Sequence, residues 1–301
     1  MLRIAIIILN WENASATREC ARSVVDEMKR CNGSASSHLW IVDNGSRDGS
    51  KVGLETWVDA CDEQVSFIAN SKNLGFSGGM NKGIFAAFDC NRFDYFWLLN
   101  NDIIVEPNSL SSLFQSAEED LSVAIWGSTV IDEATGKVQC AGGCQYSEWL
   151  GKESRVYSGL ETSEMSDSIR PRLDYIYGAA MFVKGEFLER LKGLNEDYFL
   201  FYEELDLAKK LRPDEKIGWC MGSNVIHKGG GSSSNKVKKT FTAYHAALSA
   251  FRFTRQYYPV CLPTVVIARA LGLTLRSVQF KNPRLALAPW RALRDLFNAD
   301  T

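Results

Sequence analysis

One stretch of this 301-residue sequence decides the fold, and it reads Asp94-Tyr95-Phe96-Trp97-Leu98-Leu99-Asn100-Asn101-Asp102. Because no polar residue lies between Tyr95 and Asn100, the pattern predicts a strand buried on both faces. Two amides and a carboxylate follow it directly. Sheets of the α/β class bind ligands at the carboxyl ends of their parallel strands, so Asp102 beside two amide donors suits a divalent cation and a diphosphate. The alternative is an Asx-rich turn that only closes the strand.

The sequence before this stretch repeats a strand followed by a helix. The predicted strands are 3–9, 38–42 and 65–69, and the predicted helices are 14–31, 50 to about 60, and one that follows 73–83. With the stretch above, four such units predict a parallel sheet that is wound in both directions. The predicted fold class is therefore α/β, with a Rossmann-like, doubly wound and mostly parallel sheet and a helical C-terminal tail.

Polar and Gly-rich loops follow the second and third predicted strands. Asp43, at the end of the second strand, can accept hydrogen bonds from a nucleobase imide or a ribose hydroxyl. After the third strand, Gly75, Gly78 and Gly79 allow backbone N–H groups to approach a ligand near a helix N-terminus, which favours anions. Neither loop fits the dinucleotide motif G-x-G-x-x-G or the phosphate loop that ends in Gly-Lys-Ser/Thr. Taken alone, each loop is also consistent with an ordinary turn.

The pattern changes after Pro107, and its main polar feature is a carboxylate cluster. The aromatic segment 199–202 runs into Glu203, Glu204 and Asp206 at the start of a short predicted helix. Carboxylates suit the N-terminal end of a helix dipole, which is the structural interpretation. Aromatic neighbours also desolvate a carboxylate and raise its pKa, as a general base requires. A strand is predicted over 175–183 and a polar, mobile loop over 151–172.

The last predicted strand, 217–226, ends at His227. A single histidine is more often structural than a metal ligand. The Gly/Ser-rich segment 228–234 follows it, and we expect this segment to fold over a bound phosphate.

Taken in chain order, these motifs resemble one family, the inverting family-two glycosyltransferases of GT-A fold, and in particular their bacterial rhamnosyltransferase-like branch. The motifs that carry the resemblance are 42–46 with 48–50, 73–83, 99–102, 203–206 and His227. The resemblance covers about residues 3–235. It implies a catalytic domain over 1–235, with a nucleotide-binding half (1–105) and an acceptor-binding half (106–235), followed by a basic helical region (236–301).

The resemblance also implies roles for individual residues. Asp102 and His227 would ligate a divalent cation, Mg²⁺ or Mn²⁺, and Asn100 stands where the family often has a further Asp. Glu204 would be the catalytic base, with Glu203 as the alternative, and Asp206 is expected to position the acceptor. The residues expected at the nucleotide are Asn10, Asp43, Asn73, Gly75, Gly78, Asn100 and Asn101.

The function implied is transfer of rhamnose or another hexose from a nucleotide-diphosphate sugar to a saccharide acceptor, with inversion, in bacterial surface polysaccharide synthesis. The cation would neutralise the diphosphate leaving group while Glu204 takes the proton of the acceptor hydroxyl. One alternative is a nucleotidyltransferase that forms nucleotide sugars, but residues 10–17 lack the Lys or Arg that a triphosphate loop needs. The other is a non-catalytic module that binds nucleotide sugars.

Charge sets the C-terminal region apart. Residues 236–301 contain eleven Lys or Arg and two Asp or Glu, whereas the rest of the chain contains 23 and 34. Trp290, Leu293, Leu296 and Phe297 are predicted on one face of a basic amphipathic helix, which is typical of contact with an anionic membrane. The alternatives are packing on the catalytic domain or a homodimer, and no nucleic-acid partner is expected.

Two further features bear on location. The apolar run 260–275 contains Pro263 and Arg269 and is interpreted as too short to span a bilayer. The N-terminal apolar run lacks the features of a signal peptide, and the eight cysteines, among which only Cys140 and Cys144 are close, are expected to be reduced thiols. The expected location is therefore the cytoplasm, with a peripheral position on the inner face of the membrane and a lipid-linked acceptor there.

Overall fold

The computed structural model describes residues 1–61, 64–165, 171–229 and 236–298, and within them a nine-stranded mixed sheet lies between layers of helices. The strands are β1 Leu2–Asn10, β2 Ala35–Asp43, β3 Val65–Ala69, β4 Tyr95–Asn100, β5 Ile103–Val105, β6 Val123–Asp132, β7 Val138–Ala141, β8 Gly143–Ser147, β9 Lys152–Arg155, β10 Tyr175–Ile176, β11 Ala180–Lys184 and β12 Lys216–His227. The helices are α1 Ala14–Arg30, α2 Ser50–Asp59, α3 Gly75–Cys90, α4 Ser109–Glu119, α5 Gly185–Leu191, α6 Glu203–Lys209, α7 Lys236–Tyr257, α8 Leu262–Gln279 and α9 Arg284–Asn298.

The first half of the sheet has the predicted doubly wound order. Strands β3, β2, β1 and β4 are neighbours in that order and all of them run parallel. The parallel register places Asn10 beside Asp43 and Leu9 beside Asn100, so the polar strand ends meet at one edge of the sheet. The prediction of an α/β fold whose polar strand ends meet at one edge is confirmed in this half, and ligand binding at that edge stays a prediction.

Strand β4 is buried on both faces, as its apolar run predicts. Trp97 and Leu99 belong to the core cluster on one side of the sheet, whereas Phe96 and Leu98 belong to the cluster on the other side. All four side chains are completely inaccessible to solvent. This strand therefore holds the two core layers together and fixes the position of the polar residues that follow it.

The second half of the sheet is mixed rather than mostly parallel. Strand β11 runs antiparallel to both β4 and β6, and β12 runs parallel to β6 but antiparallel to the short β5. Because β5 follows Asp102 and pairs with the end of β12, His227 lies opposite Ile103. The pairing of β5 with β12 thus brings two distant segments of the chain to the same edge.

Two local predictions need correction. The expected strand 175–183 is two strands in different sheets, since β10 pairs with β8 while β11 joins the main sheet. The expected mobile loop 151–172 contains β9 and a short 3₁₀ turn, Thr162–Glu164, because β9 pairs with β8. Residues 166–170 of that loop, and 230–234 of the predicted Gly/Ser-rich cover, lie outside the described residues.

The C-terminal helices share an apolar core with the strands of the main sheet. Buried side chains of α7, α8 and α9, including Phe251, Val265 and Leu296, belong to the same apolar cluster as β1 and β4. Packing on the catalytic domain, one of the two alternatives to membrane contact, is therefore present in the structure.

Helix α8 corrects the interpretation of residues 260–275. Pro263 lies in the first turn of the helix, where a proline fits, so it does not interrupt the run. The segment Pro259–Gln279 is long and apolar enough to cross a membrane, by length and composition only. The predicted apolar face of α9 is also divided, because Leu296 is buried whereas Trp290 and Phe297 are more than half exposed.

Candidate active site

The nucleotide side of the site is a network of buried side chains at the ends of β1 and β2. Asn10 donates from Nδ2 to Asp43 Oδ1 (2.7 Å), and the Ser46 backbone N–H donates to Asp43 Oδ2 (3.0 Å). Thr17 donates to Asn10 Oδ1 (2.7 Å), and Asn101 donates to Thr17 Oγ1 (2.9 Å). Each Asp43 oxygen keeps a lone pair, so the carboxylate is positioned by the protein and remains an acceptor for a base or a ribose.

Asn44, which the sequence analysis did not single out, joins the two Gly-rich loops. Its Nδ2 donates to Asn73 Oδ1 (3.1 Å) and to the Gly75 carbonyl (2.9 Å). Its Oδ1 accepts from Asn70 Nδ2 (3.1 Å) and from the Leu74 N–H (3.0 Å). Asn44 is almost completely buried, and its four hydrogen bonds hold the loop after β2 against the loop after β3.

The glycines that follow the loop after β3 leave room for neighbouring protein atoms. A Cβ on Gly75 would lie 2.4 Å from the Phe199 carbonyl oxygen, and a Cβ on Gly79 would lie 2.5 Å from Leu9 Cδ1. A Cβ on Gly78 would lie 2.9 Å from Leu74 Cβ. Gly75 begins α3 with a left-handed φ of 79°, and Gly78 and Gly79 lie within the helix. All three allow close packing of α3, and the approach of a ligand to their backbone stays a prediction.

Asp102 and His227, the two predicted metal ligands, come together at the edge of the sheet. The distance from His227 Nε2 to Asp102 Oδ2 is 3.3 Å, although 125 positions separate them in the sequence. The other oxygen of Asp102, Oδ1, is buried and has no hydrogen-bond partner. An unsatisfied carboxylate oxygen is costly unless a cation or a donor fills its place.

Gln139 orients His227, and sequence reasoning missed it. Gln139 Oε1 lies 2.8 Å from His227 Nδ1 and can only accept, so Nδ1 carries the proton. In the neutral ring the lone pair is then on Nε2, which faces Asp102. Metal-binding histidines are commonly fixed in this way by an acceptor on the other ring nitrogen.

These residues fit a hard divalent cation that also binds a diphosphate. No group of three His, Cys, Asp or Glu that could hold a metal occurs in the part of the chain that the structure describes. Mg²⁺ is usually held by one or two carboxylates together with phosphate oxygens and water, so a pair of protein ligands is enough. Asn100 is half-buried beside them, where it adds an amide without adding charge.

A strained turn lies directly before the carboxylate cluster of α6. Phe201 (φ 66°) and Tyr202 (φ 75°) both have left-handed backbone conformations, which bulky side chains rarely adopt. Helix α6 begins directly after them, at Glu203. Strain of this kind persists where surrounding structure enforces it, and it commonly marks a functional site.

Glu204 lies against Gly178 and is half-buried. A Cβ on Gly178 would lie 1.9 Å from Glu204 Oε1, so only glycine leaves room for this carboxylate. Burial, opposed by hydrogen bonds from backbone N–H groups, raises the pKa of Glu204 to about 7. A carboxylate with that pKa is half-ionised near neutral pH and can accept a proton from a hydroxyl.

Glu203 has a different environment from its neighbour. It is 4% exposed, and its Oε2 is buried without a partner. Burial, and then the charge of Glu204, raise the pKa of Glu203 well above its ordinary value. Glu204, which is half-buried, is the more accessible of the two to an acceptor hydroxyl, and the structure therefore favours Glu204 over Glu203 as the base.

Asp206 does not face the cleft, which corrects its expected role at the acceptor. It is 3% exposed, and its Oδ1 accepts from Tyr257 Oη of α7 (2.7 Å). The same oxygen lies 3.5 Å from Tyr198 Oη. The carboxylate thus connects α6 to the C-terminal region, because its position two residues after Glu204 turns it to the other side of the helix.

The C-terminal helices also hold the strained turn. Arg269 of α8 donates from Nη2 to Tyr202 Oη (2.8 Å) and to the Gly151 carbonyl (2.8 Å). Ser249 of α7 donates to the Leu200 carbonyl (2.9 Å). Leu200, directly before the left-handed pair, and Tyr202, its second member, are therefore fixed from the tail, which no local sequence pattern predicts.

Comparison with known families covers the first half of the chain. Residues 5–141 match the model described as glycosyl transferase family 2. The matched residues include β1 to β7 and the ends of β1, β2 and β4, so they contain Asn10, Asp43 and Asp102.

A curated relative is the low-salt glycan biosynthesis hexosyltransferase Agl10 of Haloferax volcanii, which is 23% identical over 229 residues. The match covers 74% of this chain and 66% of the relative, so the chain spans slightly less than two thirds of that protein.

Two solved structures have the same fold. The mannosyltransferase PcManGT of Pyrobaculum calidifontis, in complex with GDP-Man and Mn²⁺, has a TM-score of 0.59 and 12% identity, covering 97% of this chain and 87% of its own. GalNAc-T7 with UDP, GalNAc and Mn²⁺ has a TM-score of 0.61 and 16% identity, covering 86% of this chain and 52% of its own. The fold is therefore the GT-A fold, with a helical C-terminal region.

Proposed function

We propose that this chain, whose residues 5–141 form a glycosyl transferase family 2 domain within a GT-A fold, is an inverting, metal-dependent glycosyltransferase. The observation that carries the proposal is that both carboxylate sites lie next to the end of β4. Asp102 follows that strand directly, and Glu204 contacts Gly178, whose neighbour Ala179 accepts a hydrogen bond from the Asn100 N–H (3.0 Å). Asp102 with His227 faces the edge formed by the nucleotide network, and Glu204 with its raised pKa comes from the other half of the chain.

The donor is a nucleotide-diphosphate sugar. Asp43 accepts from the base or the ribose, and the amides of Asn73, Asn100 and Asn101 line the approach to the diphosphate. A divalent cation held by Asp102 and His227 supplies positive charge to the diphosphate as it leaves. The relatives whose structures contain Mn²⁺ support a cation here, and Mg²⁺ has the same preference for oxygen ligands.

Glu204 carries out the proton transfer. Its carboxylate accepts the proton of an acceptor hydroxyl while that oxygen attacks the anomeric carbon from the face opposite the diphosphate. The new glycosidic bond forms as the bond to the diphosphate oxygen breaks, so a single displacement inverts the configuration. Glu203 remains buried behind Glu204, and residues 1–105 and 106–235 act as donor and acceptor halves.

The sugar and its destination are also part of the proposal. Rhamnose or another hexose is transferred to a saccharide acceptor during bacterial surface polysaccharide synthesis, and the hexosyltransferase relative supports a hexose. The acceptor is lipid-linked and is met at the cytoplasmic leaflet, where the basic C-terminal region makes a peripheral contact. The net charge of +9 in residues 236–301 supports this location.

The test begins with thermal unfolding in the presence of a panel of nucleotide-diphosphate sugars, with and without Mn²⁺. The matching donor should stabilise the protein, and Mn²⁺ should increase that effect. With that donor and a saccharide acceptor, NMR coupling constants of the product then report the anomeric configuration, which should be the opposite of the donor's.

Each alternative gives a different result. Formation of a nucleotide sugar from a sugar phosphate and a nucleoside triphosphate would identify a nucleotidyltransferase. Stabilisation by a donor without hydrolysis or transfer would identify a binding module. A product that retains the donor configuration would refute the single displacement.

A further inference from the structure

Helix α8 and the 3₁₀ turn Pro259–Cys261 before it expose an apolar stripe, which we define as Val260, Ile267, Leu271, Leu275 and Val278. Each of these side chains is between 58% and 79% exposed. Their spacing of three, four and seven residues places them on one helical face, which extends for about 27 Å at 1.5 Å per residue. An apolar surface of this size on a soluble domain marks an interaction site.

The other face of α8 is fixed to the protein. Val265 and Leu273 are buried, and Arg269 donates to Tyr202 Oη and to the Gly151 carbonyl at 2.8 Å each. If α8 crossed a bilayer, it would lose these contacts and carry Arg269 and Arg276 into hydrocarbon, where a charged side chain is costly. The helix therefore suits a position flat on a membrane and not across it.

The surroundings of the stripe have the chemistry of a membrane interface. Trp149, which is 53% exposed, lies at the start of α8, because Thr264 donates to its carbonyl (2.8 Å). Trp290 on the neighbouring α9 is 55% exposed. Tryptophan is enriched at the headgroup level of membranes. Exposed basic residues of the same region, Arg276 and Arg291, supply the positive charge that anionic headgroups attract.

The charge of residues 236–301 favours a bilayer over a second copy of the chain as the partner of the stripe. Residues 236–301 carry +9, so a dimer formed through the stripe would bring two strongly positive regions together. An anionic leaflet is instead attracted by that charge and accepts the apolar face.

We propose that α8 lies flat in the headgroup region of an anionic bilayer with its stripe toward the acyl chains. The contact is then made mainly by α8, and Trp290 and Phe297 of α9 lie beside it. Since α8 touches lipid on one face and Tyr202 on the other, it sets the height of the Glu203–Glu204 turn above the membrane. This inference rests on the proposed function, and it identifies the surface that makes the proposed peripheral contact with the membrane.

The test is co-sedimentation of the full chain with phosphatidylcholine vesicles that contain or lack phosphatidylglycerol. The wild type should bind the anionic vesicles, and added salt should weaken binding. Leu271→Glu with Leu275→Glu should reduce binding at least about tenfold, a change of about 1.4 kcal/mol, since two apolar side chains no longer enter the bilayer. Leu271→Ser with Leu275→Ser, which adds no charge, should also weaken binding.

Val52→Glu is the matched control, because Val52 is 66% exposed on α2 and should not alter vesicle binding. The inference fails if the wild type stays in the supernatant with anionic vesicles at low salt, or if both double variants bind as the wild type does. A dimer that the double variants dissociate would show that a second copy covers the stripe. Vesicle binding without any sugar transfer would leave this inference standing and refute the proposed function.

Discussion

Two sets of residues in the proposed site satisfy their polar groups in opposite ways. One set is the donor loops, which contain Asn10, Asp43 and Asn44, and the other is the carboxylates Asp102 and Glu203. In the donor loops, Asn10, Asp43 and Asn44 are buried and bonded to one another or to neighbouring backbone. In the two carboxylates, by contrast, Asp102 Oδ1 and Glu203 Oε2 are buried without any partner. The hydrogen bonds of the first set stabilise the conformation of the loops. The unpartnered oxygens of the second set are costly until a cation or a proton binds them.

This difference separates residues that only hold the conformation of the pocket from residues whose oxygens need a cation or a proton. Buried polar groups are normally satisfied, so the exceptions point to chemistry that needs a further component. The comparison can be tested by removing groups from each set. Loss of Asp102 should abolish function with little effect on folding, whereas loss of Glu203 should leave most of the activity because Glu203 is the less accessible of the two glutamates. Loss of a donor-loop residue should mainly reduce stability.

The largest effect is expected for Asp102→Ala. Transfer should be lost, and Mn²⁺ should no longer increase the thermal stabilisation by the donor, because one of the two protein ligands has gone. The free energy of unfolding without metal should change little, since Asp102 Oδ1 has no partner to lose. The measurements are product formation and thermal unfolding, with and without Mn²⁺. Full activity of the variant in the presence of a chelator would refute the metal site.

Asn44→Ala should have the largest effect on stability. It removes four hydrogen bonds and leaves several buried groups unsatisfied, so we expect a loss of about 2–4 kcal/mol in the free energy of unfolding. Urea denaturation measures this directly. Asn32→Ala is a control at an exposed asparagine. If Asn44→Ala were as stable as the wild type, the donor loops would not depend on this network.

A smaller effect is expected for Gln139→Leu, which removes the acceptor from His227 Nδ1. Acceptors of this kind typically contribute about 10–100-fold to metal affinity. Mn²⁺ titration followed by calorimetry should show a loss in that range. Gln139→Glu, which keeps an acceptor, should restore affinity. Unchanged affinity in Gln139→Leu would show that the contact only packs the ring.

The local sequence pattern was sufficient for the first half of the fold. The uninterrupted apolar run of β4 and the polar residues at each strand end predicted the parallel order and the ligand edge. The same patterns could not show what fills the space at Gly75, Gly78 and Gly79. A glycine that approaches a ligand and a glycine that approaches a Phe199 carbonyl have the same sequence signature.

The acceptor half depends on contacts between residues far apart in the chain. Gln139 with His227 and Gly178 with Glu204 are separated by 88 and 26 positions, and no periodicity connects them. The role of Asp206 was mistaken for the same reason, because its partner, Tyr257, belongs to the tail. The charge of the tail was visible in the sequence, but its packing on the strained turn was not.

The central claim is that Glu204 acts as the base, and its pKa of about 7 provides the test. A base must be deprotonated, so kcat/KM should rise with pH, reach half its plateau near pH 7 and level off above it. The pKa of Glu204 in the folded protein is raised, so its contribution to stability is present at low pH and is lost as the pH rises through about 7. Glu204→Gln should therefore remove that loss of stability and reduce the rate.

The most direct measurement is the pH profile of kcat/KM for the wild type, Glu204→Gln and Glu203→Gln. We expect Glu204→Gln to be about 10²–10⁴-fold slower, to lose the inflection and to retain stabilisation by the donor. Glu203→Gln should retain an inflection and most of its activity. A near-normal rate with the same inflection in Glu204→Gln, together with an inactive Glu203→Gln, would contradict the account and assign the base to Glu203.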